Sequence, residues 1–263
     1  MKVFDIHMHI FPEKIAEKAV KNLAQYYQVA MACKGTKEDF DETIENAEVI
    51  KKSLIFATAT TPHQTESVNN FISNLISDDR YAFGSVHPGY DKIEEEIDRM
   101  ISLGLRGIKL HSDFQGFDVD CKAAQRIYDY AQFKKLPIMF HAGDKNVDSS
   151  SPKRLRHIKD MFPDLTMICA HLGGYSVWDE VWDTLIGQDV YFDTSSTLWA
   201  LEGKKAVEII KAHGVDRCMF GTDYPMHYPK QCIKEFLELG FSEEDNNRIL
   251  WDNAVKFFEE HKI

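Results

Sequence analysis

His7 and His9 in DIHMHI, His141 in MFHAG, His171 in CAHLGG and Asp223 in FGTDYP each stand where a run of apolar residues ends. Imidazoles joined by a carboxylate are the donor types that hold a divalent ion and activate water, for hydrolysis or for removal of a carboxylate. Side chains alternate across a strand, so His7 and His9 lie on one side of the first run and clamp one ion from a single rigid element. His141 and Asp223 supply the remaining ligands from opposite parts of the fold. A nitrogen-rich set with one carboxylate suits Zn2+ first and tolerates Mn2+, Fe2+ or Co2+. Such an ion lowers the pKa of its water to about 7, and Asp223 then takes the water proton and passes it to the leaving group.

His171, followed by Gly173 and Gly174, reads as a second-metal ligand, a general acid or base, or a donor to a developing oxyanion. Proton transfer or hydrogen bonding beside a single metal is the preferred role. Lys109 and His111 in GIKLH are again one pleat apart and are candidate substrate-binding residues. The lysine either meets a substrate carboxylate as a cation or, carbamylated, bridges two metals. Each residue also has an ordinary reading: H-x-H pairs arise by chance, strand-end histidines are commonly hydrogen-bonded core residues, and Asp223 before Pro225 suits a turn or a helix N-cap. The metal reading rests on their conjunction.

Something must bring these distant residues together. Continuous apolar runs over 3–10, 53–60, 81–87, 105–111, 137–142, 166–171, 190–194 and 218–222 read as strands buried on both faces. Amphipathic stretches over 13–29, 37–51, 66–76, 91–102, 121–134, 152–161, 176–186 and 204–213, with a closing pair over 229–239 and 242–260, read as helices. Eight such βα repeats predict an α/β fold, a single (β/α)8 TIM-type barrel over residues 1–263, with its active site at the carboxyl ends of the strands. An open doubly wound sheet builds the same local units, but it would not gather residues from its first, fifth, sixth and eighth strands around one point.

Composition narrows the function classes. Of 263 residues 44% are hydrophobic, enough for a large core, and the net charge of -11 with interspersed Lys and Arg argues against a nucleic-acid partner. A small-molecule substrate is expected. No apolar run approaches membrane-spanning length and no signal-like segment opens the chain, so neither a membrane nor export is expected. Five scattered cysteines without a CxxC pair fit reduced thiols in a cytoplasmic protein. A homodimer is the default for such a barrel.

In the order DIHMHI, GIKLH, FHAG, AHLGG and FGTDYP, the chain resembles the amidohydrolase superfamily, in the amidohydrolase-related branch that includes aminocarboxymuconate semialdehyde decarboxylase. The motifs span Met1 to about Asn253. The resemblance implies a (β/α)8 barrel with one zinc held by His7, His9, His141 and Asp223, and His171 beside the metal-bound water. It implies two chemistries: hydrolysis, or non-oxidative decarboxylation of a small unsaturated or aromatic acid. Hydrolysis of a small organic acid, amide or lactone comes first, because it needs no residues beyond these; a barrel kept for binding alone is the remaining alternative. The branch's substrate-binding arginine has no secure match, with Arg80 and Arg106 as nearby candidates. Phe114, Asp144, Trp178, Met226 and His227 sit on post-strand loops, and Trp199 and Tyr224, after the seventh and eighth strands, are expected to overhang the metal and touch substrate.

Overall fold

The computed structural model describes residues Met1 to His261. The chain alternates strand and helix throughout: β1 (Val3–His9), α1 (Glu13–Tyr27), α2 (Lys37–Asn46), β2 (Ile50–Phe56), α3 (Thr65–Ser73), β3 (Arg80–Ala82), α4 (Ile93–Ser102) and β4 (Ile108–Leu110) form the first half. The second half holds α5 (Ser112–Gln115), α6 (Lys122–Lys134), β5 (Ile138–Phe140), α7 (Pro152–Met161), β6 (Met167–Cys169), α8 (Val181–Thr184), β7 (Tyr191–Asp193), α9 (Gly203–His213) and β8 (Cys218–Met219), followed by α10 (Pro229–Leu237), α11 (Glu243–Asn247) and α12 (Asn253–Glu260).

All neighbouring strands pair in parallel, in the orders β1-β2-β3 and β4-β5-β6-β7-β8. Backbone hydrogen bonds close both seams. Gly84 N–H donates to Gly107 O (2.9 Å) and Lys109 N–H to Gly84 O (2.7 Å), while Ile6 N–H donates to Phe220 O (3.0 Å) and Asp223 N–H to His7 O (2.9 Å). The result is the expected (β/α)8 barrel, which removes every sheet edge.

Alternation within the strands divides the core. Phe4 and Ile6 of β1, Leu54 and Phe56 of β2, Met139 of β5, Ile168 of β6 and Met219 of β8 form one apolar cluster with Ala254, Phe257 and Phe258 of α12. Their neighbours Ile138, Phe140, Met167, Cys169 and Cys218 belong instead to the larger layer shared with the helices. The first cluster is the barrel interior. Phe258 closes its floor by stacking on Phe4 at 5.2 Å between ring centres.

Several boundaries depart from the periodicity. The helix expected over 37–51 stops at Asn46, because β2 begins at Ile50 and not at Ser53. Residues 57–60, expected as strand, have no regular secondary structure, and Ala57, Thr58 and Thr60 line the cavity described below. β1 carries an irregularity between Asp5, which pairs with Ser53, and Met8, which pairs with Ile55: three steps along β1 match two along β2. One extra residue in a strand re-aims the side chains beyond it. Here Phe4 and Ile6 face the interior below the bulge, and His7 and His9 face the site above it.

Candidate metal centre and active site

The end of β1 is tied to the end of β8 by a buried carboxylate. Asp5 Oδ1 accepts the backbone N–H groups of His7 and Thr222, each at 3.1 Å, and Oδ2 accepts the Thr222 hydroxyl at 2.6 Å. Burial pushes the Asp5 carboxyl up to about 7 against the pull of those hydrogen bonds. Beyond the tie, Asp223 has φ +64°, and His171 (+59°) and Ser196 (+46°) share this left-handed region. Non-glycine residues rarely occupy it, and such strain gathers at sites held in place by their surroundings.

Asp223 Oδ1 lies 3.4 Å from His7 Nε2 and 3.6 Å from His9 Nε2. Its Oδ2 accepts the Ser196 hydroxyl at 2.5 Å. The other ring nitrogen of His7, Nδ1, donates to Asp193 Oδ2 at 2.8 Å, which leaves the lone pair on Nε2, the atom that meets Asp223 Oδ1 and Lys109 Nζ. Asp193 Oδ1 accepts the backbone N–H of His171 (3.1 Å) and of Ser195 (2.9 Å), together with the Ser195 hydroxyl. His171 Nδ1 donates to the Ser195 carbonyl at 3.0 Å, so its Nε2 is an acceptor. His7, His171 and Asp223 offer ligand atoms all within 4.8 Å of one another.

Sequence reasoning missed Asp193. Its signal was present, since YFDTS also ends an apolar run in a carboxylate, yet no spacing rule linked it to His7.

His141 stands one ring further round. Its Nδ1 is 3.0 Å from His171 Nε2, and its Nε2 is 3.5 Å from Asp113 Oδ2. His111 stacks on it with ring centres 3.9 Å apart and planes 8° from parallel, and meets the Tyr27 hydroxyl through Nε2 at 3.0 Å. His111, Asp113 and His141 make a second group of potential ligands within 4.8 Å. The expected four ligands are therefore not one tight cluster: His7, His9 and Asp223 adjoin, and His141 reaches them across His171.

Burial sets the protonation of all these groups. It drives His7, His9 and His111 well below the ordinary imidazole value and His141 and His171 down to about 3, with neighbouring positive groups adding to the effect. Every ring is neutral near pH 7, the form in which imidazole binds metal. Lys109 is fully buried, with Nζ 3.3 Å from His7 Nε2; burial lowers it to about 8 against the attraction of Asp193 and Asp223.

A cavity of about 540 Å³ opens over these groups, lined by His9, His111, His141, His171 and Asp223 at one end and roofed by α1. Phe114 and Met226 line it, as expected of loop residues. Trp199 and Tyr224 do not. Tyr224 is fully buried because its hydroxyl donates to Asp39 Oδ2 at 2.6 Å and its ring packs edge-on to Phe40 of α2. Trp199 is 44% exposed in a separate recess beside His227. Lys109 also lies outside the lining, beneath His7. Arg80, paired with Asp41, and Arg106, over the Tyr81 ring, sit at the amino ends of β3 and β4, the face opposite the site. Among the described residues no helix is long and apolar enough to cross a membrane.

Solved structures similar to the chain share its architecture throughout. An uncharacterised TIM-barrel protein from Bordetella bronchiseptica aligns at 17% identity and TM-score 0.79, over 100% of both chains. A dihydroxybenzoic acid decarboxylase from Polaromonas sp. JS666, with bound manganese and the inhibitor 2-nitroresorcinol, aligns at 15% identity and TM-score 0.75, over 100% of this chain and 98% of that one. A probable 2-pyrone-4,6-dicarboxylic acid hydrolase from Acinetobacter baumannii, with citric acid bound, aligns at 15% identity and TM-score 0.71, over 98% of this chain and 100% of that one. No curated protein sequence gives a significant match. The family model described as Amidohydrolase matches residues 4–259, nearly the whole length. The chain thus belongs to the amidohydrolase family of metal-dependent enzymes.

Proposed function

We propose that this protein is a metal-dependent hydrolase of a small organic acid, amide or lactone, with a divalent ion held by His7, His9, His141 and Asp223 and with His171 moving protons beside it. The observation that carries this reading is Asp223: its carboxylate lines the cavity while lying within 3.6 Å of the Nε2 atoms of both His7 and His9.

The donor set fits an ion. Neutral His141 has one N–H and two accepting neighbours, His171 Nε2 at 3.0 Å and Asp113 Oδ2 at 3.5 Å. Among the described residues, His141 Nε2 and Asp113 Oδ2 are buried without a hydrogen-bond partner. A proton on Nε2 faces the carboxylate and leaves the Nδ1 lone pair opposed to that of His171 Nε2, a repulsion that a cation held at His141 Nδ1 would relieve. Asp113 then supports His141 as Asp193 supports His7. Three imidazoles and one carboxylate favour zinc. A divalent ion there supplies Lewis acidity and makes hydroxide available at neutral pH.

The chain's own groups do the rest. Asp223, steadied by Ser196, accepts a proton from water at Oδ1 and returns it to the leaving group. His171, whose Nδ1–H is committed to the Ser195 carbonyl, presents an accepting Nε2 beside His141 Nδ1, at 3.0 Å, and takes up a proton there at the cavity wall. The single domain over residues 1–263 belongs to this proposal, as the site draws on β1 and β8 alike.

Non-oxidative decarboxylation of an unsaturated or aromatic acid is the second reading, favoured by the apolar walls Phe11, Leu23, Val68 and Phe114 and by the likeness to decarboxylases. Turnover of lactones, amides and carboxylated aromatics in H2-18O separates the two. Hydrolysis places the label in the organic product; release of CO2 with no label in the organic product, and with solvent deuterium on the product carbon in D2O, reverses the order. Metal analysis of freshly purified protein tests the ion, and absence of metal together with no activity after zinc or manganese addition refutes the site.

A further inference from the structure

Helix α1 spans the cavity mouth as a beam. At its amino end Phe11 stacks on His9, 6.3 Å between ring centres and 11° from parallel, and at its carboxyl end Tyr27 bonds His111. One end is therefore anchored on the proposed ligand His9 and the other on His111, which stacks on His141, and the middle lines the cavity between them. Ile15, Lys18, Ala19, Asn22 and Leu23 line it, spaced as one face of a helix.

In a helix packed on a core that face would be apolar. Here only Ala16 of α1 is buried, and the cavity face carries Lys18 and Asn22 one turn apart. Lys18 is the one lysine or arginine among the cavity's lining residues, in a chain of net charge -11. Lysine salt bridges among the described residues belong to Lys37, Lys134, Lys159, Lys234 and Lys256, not to Lys18. At about 1.5 Å per residue, Lys18 stands roughly 9 Å along the helix from Pro12 and roughly 13 Å from Tyr27, near the middle of the span. The cavity thus has a carboxylate-and-imidazole end, apolar walls, and one cation with an amide neighbour on its roof.

We propose that Lys18, aided by the Asn22 amide, receives a second anionic group of the substrate, and that the protein acts on small acids bearing two carboxylates or a carboxylate and another anionic group. This rests on the reading of the metal end given above and adds the substrate class. The reacting group goes to His9, Asp223 and the proposed ion, and the spectator carboxylate goes beneath α1.

Titration calorimetry with benzoate and isophthalate, which differ by one carboxylate, tests this on the zinc-loaded protein. The native protein is expected to prefer isophthalate, and Lys18→Ala to reduce that preference about tenfold, the size of one charge-assisted hydrogen bond. Lys18→Arg keeps the preference, as does Lys21→Ala on the outer face of the helix. Absence of a preference in the native protein, or an unchanged preference in both Lys18→Ala and Lys18→Gln, overturns the proposal. Repeating the titrations after EDTA treatment separates the two readings. A preference that still depends on Lys18, with binding indifferent to metal throughout, refutes only the metal centre; metal-dependent binding that ignores Lys18 refutes only the anchor.

Discussion

Asp193→Asn isolates the buried device that prepares His7 for the metal-binding role proposed for it. Asp193 Oδ1 receives three donors, the His171 and Ser195 N–H groups and the Ser195 hydroxyl, while Oδ2 takes the proton of His7 Nδ1. An asparagine must keep its carbonyl on the three donors, because the reverse orientation sets an NH2 against two backbone N–H groups. Its NH2 therefore faces His7 Nδ1 and drives the imidazole proton to Nε2, the atom 3.4 Å from Asp223 Oδ1 that is proposed to bind metal. Loss of a hydrogen bond to a charged group costs about 1.5–3 kcal/mol. Loss of an outer carboxylate partner typically weakens metal binding about 10- to 100-fold, or roughly 1.4–2.7 kcal/mol. The two routes agree near about 2 kcal/mol, a rise of about thirtyfold in the zinc Kd. Competition with a chromophoric chelator reads this directly, with circular dichroism and the melting temperature showing that the fold is kept. A zinc Kd within about twofold of the native value in a folded variant would remove Asp193 from the control of His7.

Asp223→Asn, which keeps the shape and removes the proton acceptor, should lower kcat by about 10²–10⁴-fold in steady-state assays, and wild-type rates would end its proposed role. Acidification should destabilise the metal-free protein. The folded pKa values of His141 and His171, at about 3, lie below the unfolded value near 6.5, so the unfolded chain binds more protons between those limits. At pH 5.5 each of these two rings costs about 1.4 kcal/mol, and His7, His9 and His111 are shifted the same way. Asp5, raised to about 7, works in the opposite sense and returns about 2 kcal/mol. The histidines outnumber this opposing carboxyl, so stability falls between pH 7.5 and 5.5, read from urea unfolding midpoints; a flat profile would show that the rings titrate normally. Gly143→Ala should cost about 2–4 kcal/mol in the same assay, because φ is +80° and the added Cβ meets the Gly174 carbonyl carbon and Tyr175 N at 2.8 Å. A loss under about 1 kcal/mol would mean that this loop yields easily.

The sequence alone determined the repeat and singled out the residues proposed for the chemistry. Apolar runs without alternation report strands covered on both faces, and the polar residue ending each run marks the face where the barrel opens, which is why His7, His9, His141, His171 and Asp223 were legible together. Tertiary structure decided what spacing cannot encode. The bulge in β1 turns His7 and His9 toward the site above Phe4 and Ile6. The approach of β7 to β1 gives His7 its partner Asp193, 186 residues away, and the hydrogen bond to Asp39 buries Tyr224 where substrate was expected. The roof over the cavity was equally hidden: α1 shows ordinary helical amphipathicity, and only closure of the barrel reveals that the face carrying Lys18 meets a cavity instead of a core. Periodicity records whether a side chain is covered; what covers it depends on contacts between residues far apart in the chain.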